Sequence, residues 1–169
     1  HDAARSPPAG EQDLPTLQRE DYAAYYTDAE GNGEELIFSD MSSRELSAVL
    51  DFTLEREGVG AIQWLGETDI RGLDLDRLVT IEDGGVSVYD NVPEEERPPV
   101  GKGLNKRVIV ELYDILPEEG EFRNSEEEED FRADIKAHTA SMPGAEFVRY
   151  ERDDERDTWV WSFELASLC

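Results

Sequence analysis

Cysteine and histidine are nearly absent from this chain, and their absence excludes several kinds of site. The 169 residues include one cysteine, Cys169, and two histidines, His1 and His138. A single thiol can form no disulfide within the chain and cannot complete the four-ligand set of a structural zinc site. We therefore expect an intracellular domain without a disulfide framework, and we expect no cofactor.

Basic residues are also scarce, which bears on the partners of the protein. The chain carries 16 Lys and Arg against 42 Asp and Glu, a net charge of −26. Binding to phosphate backbones needs clustered cations, and the densest group here is only Lys102, Lys106 and Arg107. We expect no direct contact with nucleic acid. No apolar run approaches the roughly 20 residues of a membrane-spanning helix. A partner with a basic or polar surface is expected instead.

Despite its charge, the chain has the composition of a folded domain. Hydrophobic residues make up 38% of it, and its 169 residues suit one domain. Residues 1–13 are rich in Pro, Ala and acidic residues and lack apolar periodicity, which predicts a disordered tail. Residues 14–169 are predicted to form the domain, with 14–26 as an arm that packs against it.

The apolar periodicity predicts an α+β fold. Ser42 or Ser43 is placed to cap a short helix, and residues 126–142 have the spacing of a second helix. One helical turn is predicted at residues 73–78. Asp83-Gly84 between two alternating segments is a strong hairpin signal. Further strands are predicted at residues 50–54, 61–65, 106–112, 145–150 and 158–165. The elements indicate a mostly antiparallel sheet with two short helices against it.

A discontinuous motif links this chain to a known family. It comprises residues 51–53, 58–62, 73–76, 86–89 and 98–105. Its order and spacing resemble the C-terminal autoproteolytic domain of the GLFG-type nucleoporins, over roughly residues 14–167. The resemblance implies a curved six- or seven-stranded sheet flanked by helices. It also implies a location in the nucleus, at the nuclear pore complex, and a part in nucleocytoplasmic transport of protein and mRNA.

The stretch Leu165-Ala166-Ser167 decides which kind of family member this chain resembles. Self-cutting members carry His-Phe-Ser after a Trp-x-Phe-type strand, and the bond before the Ser breaks through an N-to-O acyl shift. Here only Ser167 remains, and a leucine side chain cannot take its proton. The resemblance therefore favours a variant that docks without cutting itself. The alternative is an autoprotease that uses Ser167 as nucleophile, with Lys102 or His138 as substitute base.

The most specific stretch is a loop rich in proline and glycine, at residues 98–105. Prolines fix φ and glycines permit close backbone approach, so a rigid loop is predicted. The family resemblance places it near the last strand, where Lys102 or Asn105 could assist an oxyanion. We expect the loop to be structural instead. Its other residues are candidates for binding: Pro98, Pro99, Val100, Gly101, Gly103 and Leu104.

The resemblance also implies a partner. In this family the domain docks on a β-propeller nucleoporin of the pore scaffold, and possibly holds a C-terminal peptide segment. The predicted means of docking are an edge strand, the loop at 98–105 and the strand at 158–165.

A calcium-binding protein is a second alternative. Asp28, Glu30 and Asn32, followed by Gly33, match the first half of an EF-hand loop. Position 12 of that loop falls on Ser39, which cannot supply a bidentate carboxylate. A solvated turn is therefore the preferred interpretation of these weak metal-ligand candidates.

Overall fold

The computed structural model describes residues 7–168, which contain eleven strands and three α-helices. The strands are β1 (Tyr22–Thr27), β2 (Gly33–Glu35), β3 (Val49–Leu50), β4 (Thr53–Arg56), β5 (Gly60–Trp64), β6 (Glu67–Thr68), β7 (Val79–Glu82), β8 (Gly85–Val88), β9 (Val108–Tyr113), β10 (Ala145–Asp153) and β11 (Thr158–Leu165). The helices are α1 (Ser43–Leu46), α2 (Leu75–Leu78) and α3 (Ser125–Ser141).

Seven of the strands form one sheet, in the order β10-β11-β9-β5-β4-β1-β2. Every neighbouring pair in it is antiparallel. Two small two-stranded sheets, β3–β6 and β7–β8, accompany it. The predicted α+β class with a mostly antiparallel sheet is confirmed, and a third helix, α2, lies where one helical turn was predicted.

The core lies on one face of the large sheet. Alternate residues of the central strands, such as Ile62 on β5 and Val110 on β9, are fully buried there with Leu46, Leu75 and Ile81 from α1, α2 and β7. Period-two alternation sends the intervening residues to the other face. That second face carries polar and charged side chains such as Gln63 and Glu111, and a small buried cluster of Ala61, Tyr113 and Val160.

Local signals explain where the predicted elements begin. Ser42 accepts a hydrogen bond from the Glu45 amide, and the Glu45 carboxylate accepts one from the Ser42 amide, so a capping box starts α1. Asn124 caps α3 by accepting from the Glu127 amide. The Asp83-Gly84 hairpin is confirmed as β7–β8, with Glu82 paired to Gly85.

The strand predicted at residues 50–54 is wrong in one respect, because Asp51 interrupts it. Asp51 has φ 49°, in the left-handed region, and its carboxylate accepts a hydrogen bond from the Gly66 amide at 2.9 Å. The chain therefore leaves β3, turns at Asp51 and enters β4. The arm predicted at residues 14–26 also differs, since its end is β1, a member of the large sheet paired with β4.

The predicted tail lies partly outside the described residues. Its described part makes contacts with the domain: the Ala9 amide donates to the Met41 carbonyl, and the Gly72 amide donates to the Asp13 carbonyl. Glu11–Asp13 form a 3-10 turn. Among residues 7–168, no helix has the length and apolar character needed to cross a membrane.

Candidate functional site

The end of β11 and the Pro-Gly loop (residues 98–105) meet at one end of the large sheet. Leu165 is paired with Val108 of β9 on one side and with Ala145 of β10 on the other. Beyond the strand, the Leu168 amide donates to Asn105 Oδ1 at 3.1 Å. The loop therefore lies beside the last strand, in the place that the resemblance implies.

Two aromatic side chains fix the base of the loop. The Tyr89 hydroxyl accepts a hydrogen bond from the Leu104 amide, and Trp64 Nε1 donates to the Leu104 carbonyl, both at 2.9 Å. Gly103 has φ +55°, and a Cβ there would stand 2.9 Å from the Tyr89 hydroxyl oxygen, so only glycine fits. Tyr89 belongs to the 86–89 segment of the motif. Its role as an anchor was missed, because no local pattern signals a contact across 15 residues.

The loop is divided into an exposed tip and a buried base. The Gly101 amide donates to the Asn105 carbonyl and the Asn105 amide donates to the Lys102 carbonyl, which closes a tight turn. Val100 is 68% exposed at the tip, where Lys102 is exposed as well. Leu104 is fully buried, so it cannot contact a partner as predicted. The tip, residues 99–102, is the part available for binding.

Asn105 connects the loop to the chain end. Its side chain is buried, Nδ2 donates to the Pro98 carbonyl at 2.9 Å, and Oδ1 accepts from the Leu168 amide. An oxyanion at Ala166 would need a donor, and the amide nitrogen of Asn105 is directed at Pro98. In this geometry the Asn105 side chain holds the segment that follows Ser167 against the loop by a hydrogen bond.

No base among residues 7–168 is hydrogen-bonded to Ser167. Leu165 packs against the core and has no titratable group. His138 lies exposed on α3, and its ring is 5.7 Å from that of Trp161, which precedes Ser167 by six residues. Among residues 7–168, neither His138 nor Lys102 hydrogen-bonds to Ser167.

The two basic side chains that follow the loop, Lys106 and Arg107, are bound by groups on β6 and β11. The Lys106 ammonium donates to the Glu67 carbonyl at 2.7 Å and to the Thr68 hydroxyl at 3.1 Å. Burial lowers the pKa of Lys106, an effect opposed by the carboxylates of Asp51 and Glu67. Arg107 lies 3.4 Å from the Glu164 carboxylate on β11. Both side chains thus stabilise the position of the loop against the sheet.

The candidate calcium ligands form a hairpin turn between β1 and β2. Asp28 Oδ1 accepts hydrogen bonds from the amides of Glu30 and Asn32, at 3.0 and 2.8 Å. In the part of the chain that the structure describes, no three His, Cys, Asp or Glu side chains converge as metal ligands would. Two backbone amides thus bind one carboxylate oxygen of Asp28, as in a solvated turn.

Comparison with known proteins identifies the family. Residues 23–166 match the model Nucleoporin2, described as the Nup98-96 autopeptidase S59. The chain is 34% identical over 133 residues to nuclear pore complex protein Nup98-Nup96 of Dictyostelium discoideum, covering 76% of this chain and 6% of that protein. It is 38% identical over 123 residues to nuclear pore complex protein NUP98A of Arabidopsis thaliana, covering 70% of this chain and 11% of that protein.

Solved structures show the same fold. The Nup145N APD of Chaetomium thermophilum, solved as a mutant fused to Nup145C N, matches with a TM-score of 0.60 and 28% identity over 76% of this chain and 86% of that one. A chain of the yeast Nup82-Nup159-Nup116 nucleoporin complex matches with a TM-score of 0.64 and 18% identity, covering 89% of this chain and 99% of that chain.

This chain spans only a small part, 6% and 11%, of the two curated relatives. Both are nuclear pore complex proteins, which confirms the predicted nucleoporin family and its location at the nuclear pore. The protein belongs to the Nup98-96 autopeptidase S59 family of nucleoporins.

Proposed function

We propose that this domain anchors its nucleoporin to the pore scaffold without cutting its own chain. The observation that carries the second half of the proposal is Leu165, which the family resemblance aligns with the histidine of self-cutting members. An acyl shift at the Ala166–Ser167 bond needs a group that takes the hydroxyl proton, and an alkyl side chain cannot do so. Within residues 7–168, neither His138 nor Lys102 hydrogen-bonds to Ser167, which supports the same conclusion.

The docking surface that we propose is the corner formed by the loop tip and the chain end. The terminal strand, β11, was expected to take part, but it lies between β10 and β9 and has no free edge. The edge strand beside β11 is β10, and two features hinder pairing with it. Arg132 of α3 donates to the Tyr150 carbonyl, and the register of β10 shifts between Phe147 and Arg149. Added strands are therefore disfavoured there, and the exposed tip with Val100 is the better contact.

The partner that we propose is a β-propeller nucleoporin, as the family resemblance implies. The matching chain of the yeast complex was solved in a heterotrimeric nucleoporin assembly, and the matching Nup145N domain was solved fused to Nup145C N. A C-terminal peptide segment is a further ligand that the corner could hold, since Asn105 already binds the Leu168 amide.

Docking is tested by calorimetric titration with propeller domains of the scaffold from the same organism. Val100→Asp should weaken binding about tenfold or more, because a buried carboxylate replaces an apolar contact. Val148→Asp is the matched control, since Val148 is 49% exposed at the bulge of β10. Equal losses in both variants, or no saturable binding to any propeller, would refute the proposed surface.

Self-cutting is tested by the intact mass of the chain carrying a short C-terminal extension. We expect the parent to keep its full mass over days. Leu165→His combined with Ala166→Phe rebuilds the family motif, and this variant should be cut before Ser167 if the remaining scaffold is competent. Adding Ser167→Ala should abolish that cut. A parent product ending at Ala166 would favour the alternative, an active autoprotease.

A further inference from the structure

A groove of about 740 Å³ opens at the β1–β2 edge of the molecule. Its walls are the β1–β2 hairpin, the segment at residues 36–41, the end of α1 and β3. The larger apolar side chains of its lining are Tyr26, Leu36, Ile37, Met41, Val49 and Leu50. In the sheet, β1 is four strands from β11, about 19 Å at 4.8 Å per strand, so the β1–β2 wall of the groove is separate from the end of β11.

Large apolar side chains are exposed in this groove. Ile37 is 58% and Leu50 42% exposed. Only two other large hydrophobic side chains in the described range reach comparable exposure: Val100, at the loop tip, and Val148, at the bulge of β10. Two such residues in one concave site are typical of a binding surface, since burying them releases ordered water.

The rim of the groove is negatively charged. Its acidic residues are Asp28, Glu30, Glu35, Asp40 and Glu45, and no Lys or Arg lines it. Within residues 7–168 none of these five carboxylates is in an ion pair. Asp28 and Glu45 accept hydrogen bonds from backbone amides only. Elsewhere the acidic side chains are often paired, as Asp21 is with Arg56 and Glu111 with Arg149.

We infer that this groove binds a peptide segment of a partner protein in which apolar side chains are flanked by lysine or arginine. Apolar side chains of the segment would cover Ile37 and Leu50, and its cations would meet the carboxylates at the solvent-exposed rim. Charges at a rim keep much of their hydration, so pairing them costs little and selects the partner by sign. Met41 adds an adaptable surface for apolar side chains of differing shape.

The test uses a fluorescein-labelled synthetic peptide with a Leu-Ile-Leu centre and two lysines at each end. Its binding to the domain is measured by fluorescence anisotropy at near-physiological salt. We expect saturable binding that Ile37→Ser combined with Leu50→Ser weakens about tenfold. The matched control, Val100→Ser with Val148→Ser, should change affinity less than about twofold.

A second pair of variants separates the groove from the general charge of the domain. Glu30→Gln, Glu35→Gln and Asp40→Asn together remove three rim charges. Glu94→Gln, Glu95→Gln and Glu96→Gln remove the same charge from an exposed 3-10 turn. The rim variant should weaken the peptide about tenfold, and the control less than about twofold. Equal weakening would mean non-specific attraction to an acidic protein and would overturn the proposal.

Two further outcomes would also overturn it. One is that a peptide in which glutamates replace the lysines binds with an affinity similar to that of the lysine peptide. The other is a concentration-dependent dimer in sedimentation analysis that Ile37→Ser with Leu50→Ser dissociates, which would assign the groove to a second copy of this chain. Propeller binding by the rim variant should stay unchanged, so the result does not depend on the docking proposal.

Discussion

At the residue scale, Asn105 shows how one side chain joins distant parts of the chain. It is 63 residues from Leu168, yet its carboxamide accepts a hydrogen bond from the Leu168 amide and donates one to the Pro98 carbonyl. Each end of the amide satisfies one buried or half-buried backbone group. The same geometry that would place it near a scissile bond therefore has a structural use that needs no catalysis.

Replacing the Asn105 side chain should lower the stability of the domain. Asn105→Ala leaves the Pro98 carbonyl and the Leu168 amide without partners, and an unsatisfied buried group costs about 1–3 kcal/mol. We expect the free energy of unfolding in urea to fall by about 2 kcal/mol. Hydrogen exchange at the Leu168 amide should accelerate in the same variant.

The control for this change is Asn91→Ala. Asn91 is exposed and donates to the Arg77 carbonyl at the surface, where water replaces the lost bond. Its effect should stay within about 0.5 kcal/mol. Equal effects of the two substitutions would show that water can replace the hydrogen bonds of the Asn105 side chain without loss of stability.

At the element scale, local signals predicted most of the fold but not its long-range pairings. Alternation predicted β10 and β11, and Asp83-Gly84 predicted the β7–β8 hairpin. Alternation cannot say which strand lies at an edge, and so β11 was expected to be accessible. The left-handed turn at Asp51 was missed for a related reason, because its partner, Gly66, is 15 residues away.

The candidate site was predictable only in part. The prolines and glycines of residues 98–105 predicted a rigid loop, since they restrict or permit backbone angles locally. The burial of Leu104 and the anchors Tyr89 and Trp64 depend on tertiary contacts. The division into a buried base and an exposed tip therefore needed the structure.

The contact between β5 and β9 gives a sharp prediction at this scale. A Cβ at Gly60 would lie 2.6 Å from the Glu111 carbonyl oxygen, a backbone atom of the sheet that cannot move aside cheaply. Gly60→Ala should lower the free energy of unfolding by about 3 kcal/mol, at the upper end of overpacking effects. Chemical denaturation monitored by circular dichroism measures it.

Gly85 of the β7–β8 hairpin is the matched glycine. A Cβ there meets no atom within 4 Å, and its φ lies outside the left-handed region. Gly85→Ala should change stability by no more than about 0.5 kcal/mol. A Gly60→Ala variant as stable as Gly85→Ala would mean that β5 and β9 can separate at this point without loss.

At the scale of the whole molecule, two electrostatic effects oppose each other. The net charge of −26 means that the excess acidic side chains repel one another, which destabilises the compact state. Individual ion pairs act in the other direction. A hydrogen bond from Arg56 lowers the pKa of Asp21, one from Arg71 lowers that of Asp69, and one from Arg123 lowers that of Glu127. Stability at a given pH depends on which effect dominates there.

The two effects predict a maximum in stability between neutral pH and the sequence isoelectric point of about 4.2. Lowering the pH from 7 removes excess negative charge, so the melting temperature should first rise. Carboxylates with lowered pKa values stabilise the fold fully above their ordinary values of 3.8 for Asp and 4.5 for Glu. This stability is lost as the pH falls through the lower, folded-state values. The melting temperature should therefore fall again below about pH 4.

Added salt distinguishes the self-repulsion from the ion pairs. Raising the ionic strength from about 0.01 to about 0.1 M shortens the screening length from about 30 to about 10 Å, which weakens repulsion across the molecule. Differential scanning calorimetry at pH 7 should then show a rising melting temperature, with little salt effect near pH 4.2.

Neutralising Glu30, Glu35 and Asp40, which have no cation beside them, should raise the melting temperature at low salt and flatten its salt dependence. Asp21→Asn removes a paired carboxylate and should lower the melting temperature instead. A melting temperature that falls with salt at pH 7 would mean that ion pairs, not the excess of acidic residues, dominate the electrostatic free energy of this domain.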